Sequence, residues 1–301
     1  MTAHVVCLGI AVRDYVFQVD TLPTTPQKMS AHGFVQSQGG MAATASVAVA
    51  QLGGEAEFWG RLGDDAIGQS MRADLLRFGV AVGLPQIAGA QSPVAVVIVD
   101  AAGERMLAVF PGAGFGHDLS IPVDALNSKA AVHADSRWPA GAEKLFQAAS
   151  NWGLPRVFDA DVGDPASIRA LIPLADHVIF SEIGLKNFSS RENIEFSLHE
   201  AQEMNRAVVG ATFGEQGSVF LIDQKVYKIP ALKVSAIDTN GAGDVFHGAY
   251  ALAMGEGQDP LEAARFATVA AALKCQNGSG WANIPDRSTV NQLLKDFKWQ
   301  R

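Results

Sequence analysis

What most constrains this chain is its rhythm, in which apolar runs of strand length recur between runs of helical period. In order these are Val5 to Ile10, the helical run Met41 to Leu52, Glu57 to Trp59, the helical run Ile67 to Phe78, and Ala131 to Ala134. The helical run Ala142 to Trp152, Arg156 to Phe158, His177 to Phe180, Ala207 to Ala211 and two long helices from Gly243 and Pro260 complete the series. Such alternation predicts an α/β fold, a doubly wound, mainly parallel sheet with helices on both faces and right-handed crossovers. Ligands then bind beyond the carboxyl ends of the strands. Tyr15 to Val19, Met29 to Gln36, Val94 to Asp100 and Arg105 to Phe110 break the rhythm. They alternate in polarity and no helix parts the members of either pair, so they predict a small antiparallel accessory sheet. No repeat, low-complexity tract or long linker divides the chain, and residues 1–301 are expected to form one domain.

A chain of 301 residues that is 48% hydrophobic and 18% charged can bury a large core. No apolar run approaches the roughly 18 to 20 residues of a membrane span, and no basic segment with a following apolar stretch marks a secretory leader. Cytoplasmic residence is the default expectation. Cys7 and Cys275 lie in apolar segments and are expected as buried free thiols. The formal net charge of −8 gives no footprint for nucleic acid.

The most chemically suggestive stretch is Ile237-Asp238-Thr239-Asn240-Gly241-Ala242-Gly243-Asp244-Val245-Phe246-His247-Gly248, followed by the small apolar run Ala249 to Met254. Its glycines permit a tight turn, and a helix starting near Gly243 would aim unpaired N–H groups and a positive dipole end at one spot. Asp244 in the first turn adds a general base to that anion hole, the pairing that phosphoryl transfer needs. A lone Gly-x-Gly turn is equally a plain connection. Here a second stretch accompanies it: Gln38-Gly39-Gly40 before the helical run, Gly53-Gly54 after it, then Gly60-Arg61-Leu62-Gly63-Asp64-Asp65-Ala66-Ile67-Gly68.

Together the two stretches resemble the paired signatures of the ribokinase-like (PfkB) carbohydrate kinases, over about Val6 to Pro285. The resemblance implies an ATP-dependent kinase with Mg2+, a primary sugar hydroxyl as acceptor, and a β lid over the sugar formed by about 15–37 and 93–111. It implies that Asp244 takes the hydroxyl proton while the Gly241, Ala242 and Gly243 amides hold the transferred phosphoryl. Asp14, beyond the first strand, would grip vicinal hydroxyls, with Gly39 and Gly40 giving them access to the backbone. The asparagines usual after those glycines are absent; Met41 and Thr44 stand in that neighbourhood. On the nucleotide side the resemblance points to Thr212, Gly214 and Gly217, and to an adenine loop with Lys274, Asn277, Gly278 and Gly280. Ser181 and Gly184 replace an Asn and a Glu that help order magnesium in many members, so Glu182 is the candidate metal-shell residue, against a plain surface carboxylate. His247, one turn after Asp244, is a tempting base but reads more readily as structural. Exposed lid edges suggest a homodimer through the lid strands.

A narrower resemblance, carried by Gly103-Glu104-Arg105, His133 to Trp138, Phe180 to Leu185 and Ala271 to Cys275, is to the bacterial 6-deoxy-6-sulfofructose kinases. It implies Lys28 and Arg137 as sulfonate ligands, with Val109 in place of a third, neutral donor. Against it, Lys28 reads as a solvated charge and Arg137 as the partner of an acid such as Asp135. Simple ketohexoses, ribose and nucleosides stay open as substrates, as does a non-catalytic sugar- or nucleotide-binding regulator. The chain contains no Gly-x-x-x-x-Gly-Lys-Ser/Thr loop and no Gly-x-Ser-x-Gly elbow. Gly112 to Gly116 lacks dinucleotide-loop spacing, and His133 with Asp135 is too few ligands for zinc.

Overall fold

The computed structural model describes residues 2–116, 120–191, 193–205, 207–297 and 299. Among them, the larger sheet is built from β1 (His4–Gly9), β4 (Glu55–Gly60), β5 (Val80–Val82), β8 (Ala131–Asp135), β9 (Arg156–Ala160), β10 (His177–Ser181), β11 (Val208–Thr212), β12 (Ser218–Ile222) and β13 (Lys225–Ile229). Its strand order is β13-β12-β11-β10-β9-β8-β1-β4-β5. Every pairing from β11 to β5 is parallel, as the alternating sequence predicts, and at one edge β12 pairs antiparallel with both β11 and β13.

Side-chain alternation along β1 explains the two layers of core. Val5 and Cys7 join the cluster that packs against α1 (Met41–Gln51), α7 (Ala242–Gly255) and α8 (Pro260–Asn277). Val6 and Leu8 join the opposite cluster, under α3 (Pro139–Asn151), α4 (Pro165–Leu171), α5 (Glu182–Phe188) and α6 (Ile194–Gln202). Both faces of a parallel strand are thus buried, which is why these strands read as continuous apolar runs. α2 (Ala66–Arg77) and α9 (Arg287–Asp296) flank the first layer. At the crossing of α1 and α7, a Cβ on Gly248 would stand 2.3 Å from the Ala45 carbonyl oxygen, so the helices meet backbone to backbone there.

The second sheet comprises β2 (Val12–Gln18), β3 (Gly33–Gly39), β6 (Val94–Val99) and β7 (Arg105–Phe110), in the order β3-β2-β6-β7. It is the small accessory sheet the sequence predicts, with antiparallel pairings β2–β3 and β6–β7, and with one pairing the sequence did not reveal, β2 parallel to β6. β2 also starts earlier than the sequence suggested, so Asp14 lies inside this smaller sheet, opposite Ser37, and not at the end of β1. Buried Arg13 anchors the sheet to α2, donating to Ser70 at 2.8 Å and Asp74 at 2.7 Å, where Gln38 also donates at 2.9 Å. Sequence periodicity missed α4, α5, α6 and the β12–β13 hairpin. Cys7 is buried and Cys275 only partly so, both as free thiols; burial raises both thiol pKa values.

Candidate active site

The site begins where β1, β8 and α1 converge. Asp135, the last residue of β8, accepts N–H bonds from Ile10 at 2.9 Å, Ala42 at 3.0 Å and Arg137 at 2.8 Å. Burial pushes its carboxyl up to about 6 while those donors pull it down. One carboxylate therefore fixes the exit of β1, the first turn of α1 and its own strand end. Gly40 turns into α1 at φ +98°, and a Cβ there would lie 2.5 Å from the Ile10 carbonyl oxygen, so the close approach demands glycine. A Cβ on Gly39 would fall 2.4 Å from an Asp14 carboxylate oxygen, which places Asp14 directly over the glycine pair.

Opposite stands the start of α7. Gly241, in the left-handed region at φ +75°, caps it, and a Cβ there would come within 3.5 Å of Thr44 Cγ2 and 3.8 Å of Asp244 Oδ2. Asp244 is half-buried. Burial raises its pKa to about 7, with the charges of Asp161, Asp135 and Asp14 adding and Arg137 opposing. Burial likewise pushes Asp14 up to about 6. Of the three expected anion-hole donors, Ala242 already donates to the Thr239 carbonyl at 3.2 Å. Gly243 faces open space.

A cavity of about 380 Å3 brings together Asp14, Gly39, Gly40, Thr44, Gly241, Asp244, Lys274 and Gly280. Sequence reasoning missed Arg105, Asp238 and Trp281, which also line it. Trp281 donates its indole N–H to Thr44 Oγ1 at 3.0 Å, so the Thr44 hydroxyl has a structural partner. Buried Lys274 donates to the Gly278 carbonyl at 2.7 Å. Asn277 does not line the cavity; it donates to the Asn283 carbonyl. Thr212, Gly214 and Gly217 also lie outside its lining. Gly217 has a structural reason to be glycine, since its Cβ would stand 2.1 Å from the Ile229 carbonyl oxygen.

Two expected ligands are displaced. Lys28 is exposed and does not line the cavity. Arg137, 41% exposed, points its guanidinium toward Asp161 at 4.0 Å, and only its backbone N–H meets Asp135. Glu182 is a clearer correction: it pairs with Lys186 at 2.6 Å and lines a separate hollow with Phe213 and Gln216. The cause is local. Ser181 caps α5, accepting from the Gly184 N–H at 2.9 Å and donating to Asp161 at 2.5 Å. A side chain on Gly184 has no room, because its Cβ would meet the Ala160 carbonyl oxygen at 2.3 Å. The carboxylate acting most strongly on Asp244 is therefore Asp161, one residue beyond β9. His247 lies beneath the site, 2.8 Å from the Gly243 carbonyl, 3.2 Å from the Ile179 carbonyl and 3.3 Å from Asp159, with its ring buried and engaged in packing.

Comparison with known proteins identifies the family. The family described as pfkB family carbohydrate kinase matches residues 2–287. The ribokinase of Bacillus subtilis (strain 168) is 27% identical over 302 residues, covering 97% of this chain and 99% of that protein. A crystal structure from Agrobacterium tumefaciens, provisionally described as a ribokinase, superposes with a TM-score of 0.92 at 32% identity over 98% of both chains. The Arabidopsis thaliana ribokinase complexed with ribose and ATP superposes at 0.86, with 24% identity over 99% of this chain and 100% of that one.

Proposed function

The chain belongs to the pfkB family of carbohydrate kinases, and from that premise we propose that it transfers the terminal phosphoryl group of ATP to a primary hydroxyl of a small sugar held between Asp14 and Asp244. The observation that carries this reading is the meeting of Asp14, Gly39, Gly40, Gly241 and Asp244 in one cavity. Asp14 accepts from vicinal hydroxyls over the glycine pair. Asp244 removes the proton of the attacking hydroxyl, and its pKa of about 7 matches a base working near neutrality. Gly241 and Gly243 N–H groups, at the positive end of α7, receive the charge that develops on the transferred group. The smaller sheet then serves as the lid, and Lys274 and Gly280 mark the nucleotide side.

Among the described residues no group of three or more His, Cys, Asp or Glu is placed to hold a metal ion on its own, so a magnesium ion here would depend on the nucleotide's phosphate oxygens. Asp161, Asp135 and Asp14 all load negative charge onto Asp244, with Arg137 as the opposing charge, and a hard dication bound through one or two carboxylates and phosphate oxygens would offset that excess. Asp161, whose charge acts most strongly on Asp244, is the candidate to hold it in place of Glu182, which leaves Asp244 free as the base. When bound, the ion neutralises charge on adjacent phosphates.

For the acceptor, an anionic ketose such as 6-deoxy-6-sulfofructose would require Arg137, which lies outside the cavity lining beside Asp161, to turn its partly exposed guanidinium inward and form a planar pair with the anion. Lys28 would join only if its loop closed inward. Fructose, ribose and nucleosides are the competitors. ATP consumption with magnesium, measured against 6-deoxy-6-sulfofructose, fructose 6-phosphate, fructose, ribose and adenosine, tests the assignment. Turnover of an anionic sugar that falls sharply in Arg137→Ala supports it. Turnover of neutral sugars alone removes the anionic reading, and binding without turnover favours a regulator. The exposed apolar residues Phe34, Val35, Met106, Leu107, Val109 and Phe110 of the smaller sheet support a homodimer, which sedimentation at micromolar concentration checks.

A further inference from the structure

The tip of the smaller sheet touches the loop that opens α7. Arg105, the first residue of β7, donates from Nη2 to Asp238 Oδ1 at 3.2 Å and to Thr239 Oγ1 at 3.4 Å. The same oxygen, Asp238 Oδ1, accepts the backbone N–H of Asn240 at 2.9 Å. That N–H opens the turn Asn240-Gly241-Ala242-Gly243. A single carboxylate oxygen thus receives both a guanidinium from the smaller sheet and the backbone of the anion-hole turn. Both ends are rigidly mounted. Asp100 Oδ1 accepts from the N–H groups of Ala102 at 2.9 Å and Glu104 at 3.0 Å, ordering the hairpin turn that delivers Arg105. Ile237 and Asp238 donate their own N–H groups to the Cys275 carbonyl at 2.8 and 3.2 Å, tying the loop to the end of α8. Gly103, Arg105, Asp238 and Gly241 all line the cavity, so the junction is part of its wall.

We infer that Arg105 and Asp238 are positioning residues for phosphoryl transfer, through which the placement of the smaller sheet sets the geometry of the anion-hole turn. The inference rests on the kinase reading. The pair is partly exposed, with side chains at 31% and 17% of full accessibility, and such pairs contribute little to global stability. Its influence falls instead on the two local segments it joins. Donors aimed at developing charge act only when held in place, so loosening this junction slows chemistry more than it weakens binding. Coupling through one atom is also reciprocal: freeing either segment frees the other.

Hydrogen–deuterium exchange of the full chain, with no ligand added, tests this directly in Arg105→Gln, Arg105→Lys and Asp238→Asn. Asn at 238 keeps an oxygen for the Asn240 N–H while removing the charge. Arg105→Gln is expected to speed exchange across residues 239–243, and Asp238→Asn across residues 99–106, each by about five-fold or more, the low end of typical site-to-site couplings. Arg105→Lys is expected to change neither. Faster exchange confined to the segment that carries the substitution overturns the inference, and because no turnover is needed, that outcome is separate from any failure of the kinase assignment. With a turned-over sugar in hand, Arg105→Gln should lower kcat about ten- to hundred-fold with KM for the sugar nearly unchanged. A double-mutant cycle with Asp238→Asn should show the double no slower than the slower single. Additive losses in that cycle, or a KM effect alone, count against the coupling.

Discussion

At the scale of single residues, Asp244 carries the sharpest expectation. Asp244→Asn should lower kcat by at least about a hundred-fold, as loss of a positioned general base does, while nucleotide and sugar binding persist in calorimetry. Because its pKa stands near 7, kcat/KM measured with saturating magnesium, which reports the free enzyme's essential groups, should climb with pH around neutrality, and a profile flat from pH 5.5 to 8.5 would remove Asp244 as the base. The same shift has a stability consequence of opposite sign. A carboxyl raised from 3.8 to about 7 on folding favours the folded state when protonated, and that advantage is lost as pH rises through 7. Asn cannot ionise, so Asp244→Asn should raise Tm above pH 7.5, by up to a few kcal/mol of stability, and leave it unchanged below pH 3.8. Asp244, Gly39 and Gly40 were legible in the sequence because backbone geometry and chemistry admit few residue types there. Glu182 misled, since nothing in the one-dimensional order reveals that Gly184 is forced by the Ala160 carbonyl and that Glu182 faces away. Arg105 and Asp238 were invisible as a pair because 133 positions separate them.

Among elements, the contact of α1 with α7 matters most, since α1 starts at the glycine pair and α7 at the anion hole. Their separation is set at Gly248, where a Cβ would meet the Ala45 carbonyl at 2.3 Å. Gly248→Ala should destabilise by about 1–3 kcal/mol through overpacking, and also lower kcat by spreading Asp244 from Asp14; calorimetric Tm and steady-state kinetics together check both. Thr44→Val tests the second tie, from α1 to the loop after α8. It strands the buried Trp281 N–H and should cost about 1–3 kcal/mol in denaturant unfolding. Helices α1, α2, α3, α7 and α8 were legible from long apolar periods. The shorter α4, α5 and α6, of 7, 7 and 9 residues, span too few turns to show a period above their polar surroundings.

For the whole molecule, the parallel character of the large sheet was legible because strands buried on both faces read as unbroken apolar runs, but the strand order of neither sheet was. The central pairing of the smaller sheet is parallel, β2 against β6, a register that no local turn signals. That pairing also imposes a sequence of events. The hairpins β2–β3 and β6–β7 can each close early from neighbouring residues, but the joint between Arg13 and Val94 must await the intervening α1, β4, α2 and β5. On refolding, helical signal at 222 nm should therefore recover before protection of the β2 and β6 amides and before nucleotide or sugar quenching of Trp281 fluorescence. A chain interrupted before residue 94 during synthesis would carry Asp14 and both glycines, yet leave β2 as an open edge, so the half-made protein is most prone to stray strand pairing at the place where its sugar will later lie.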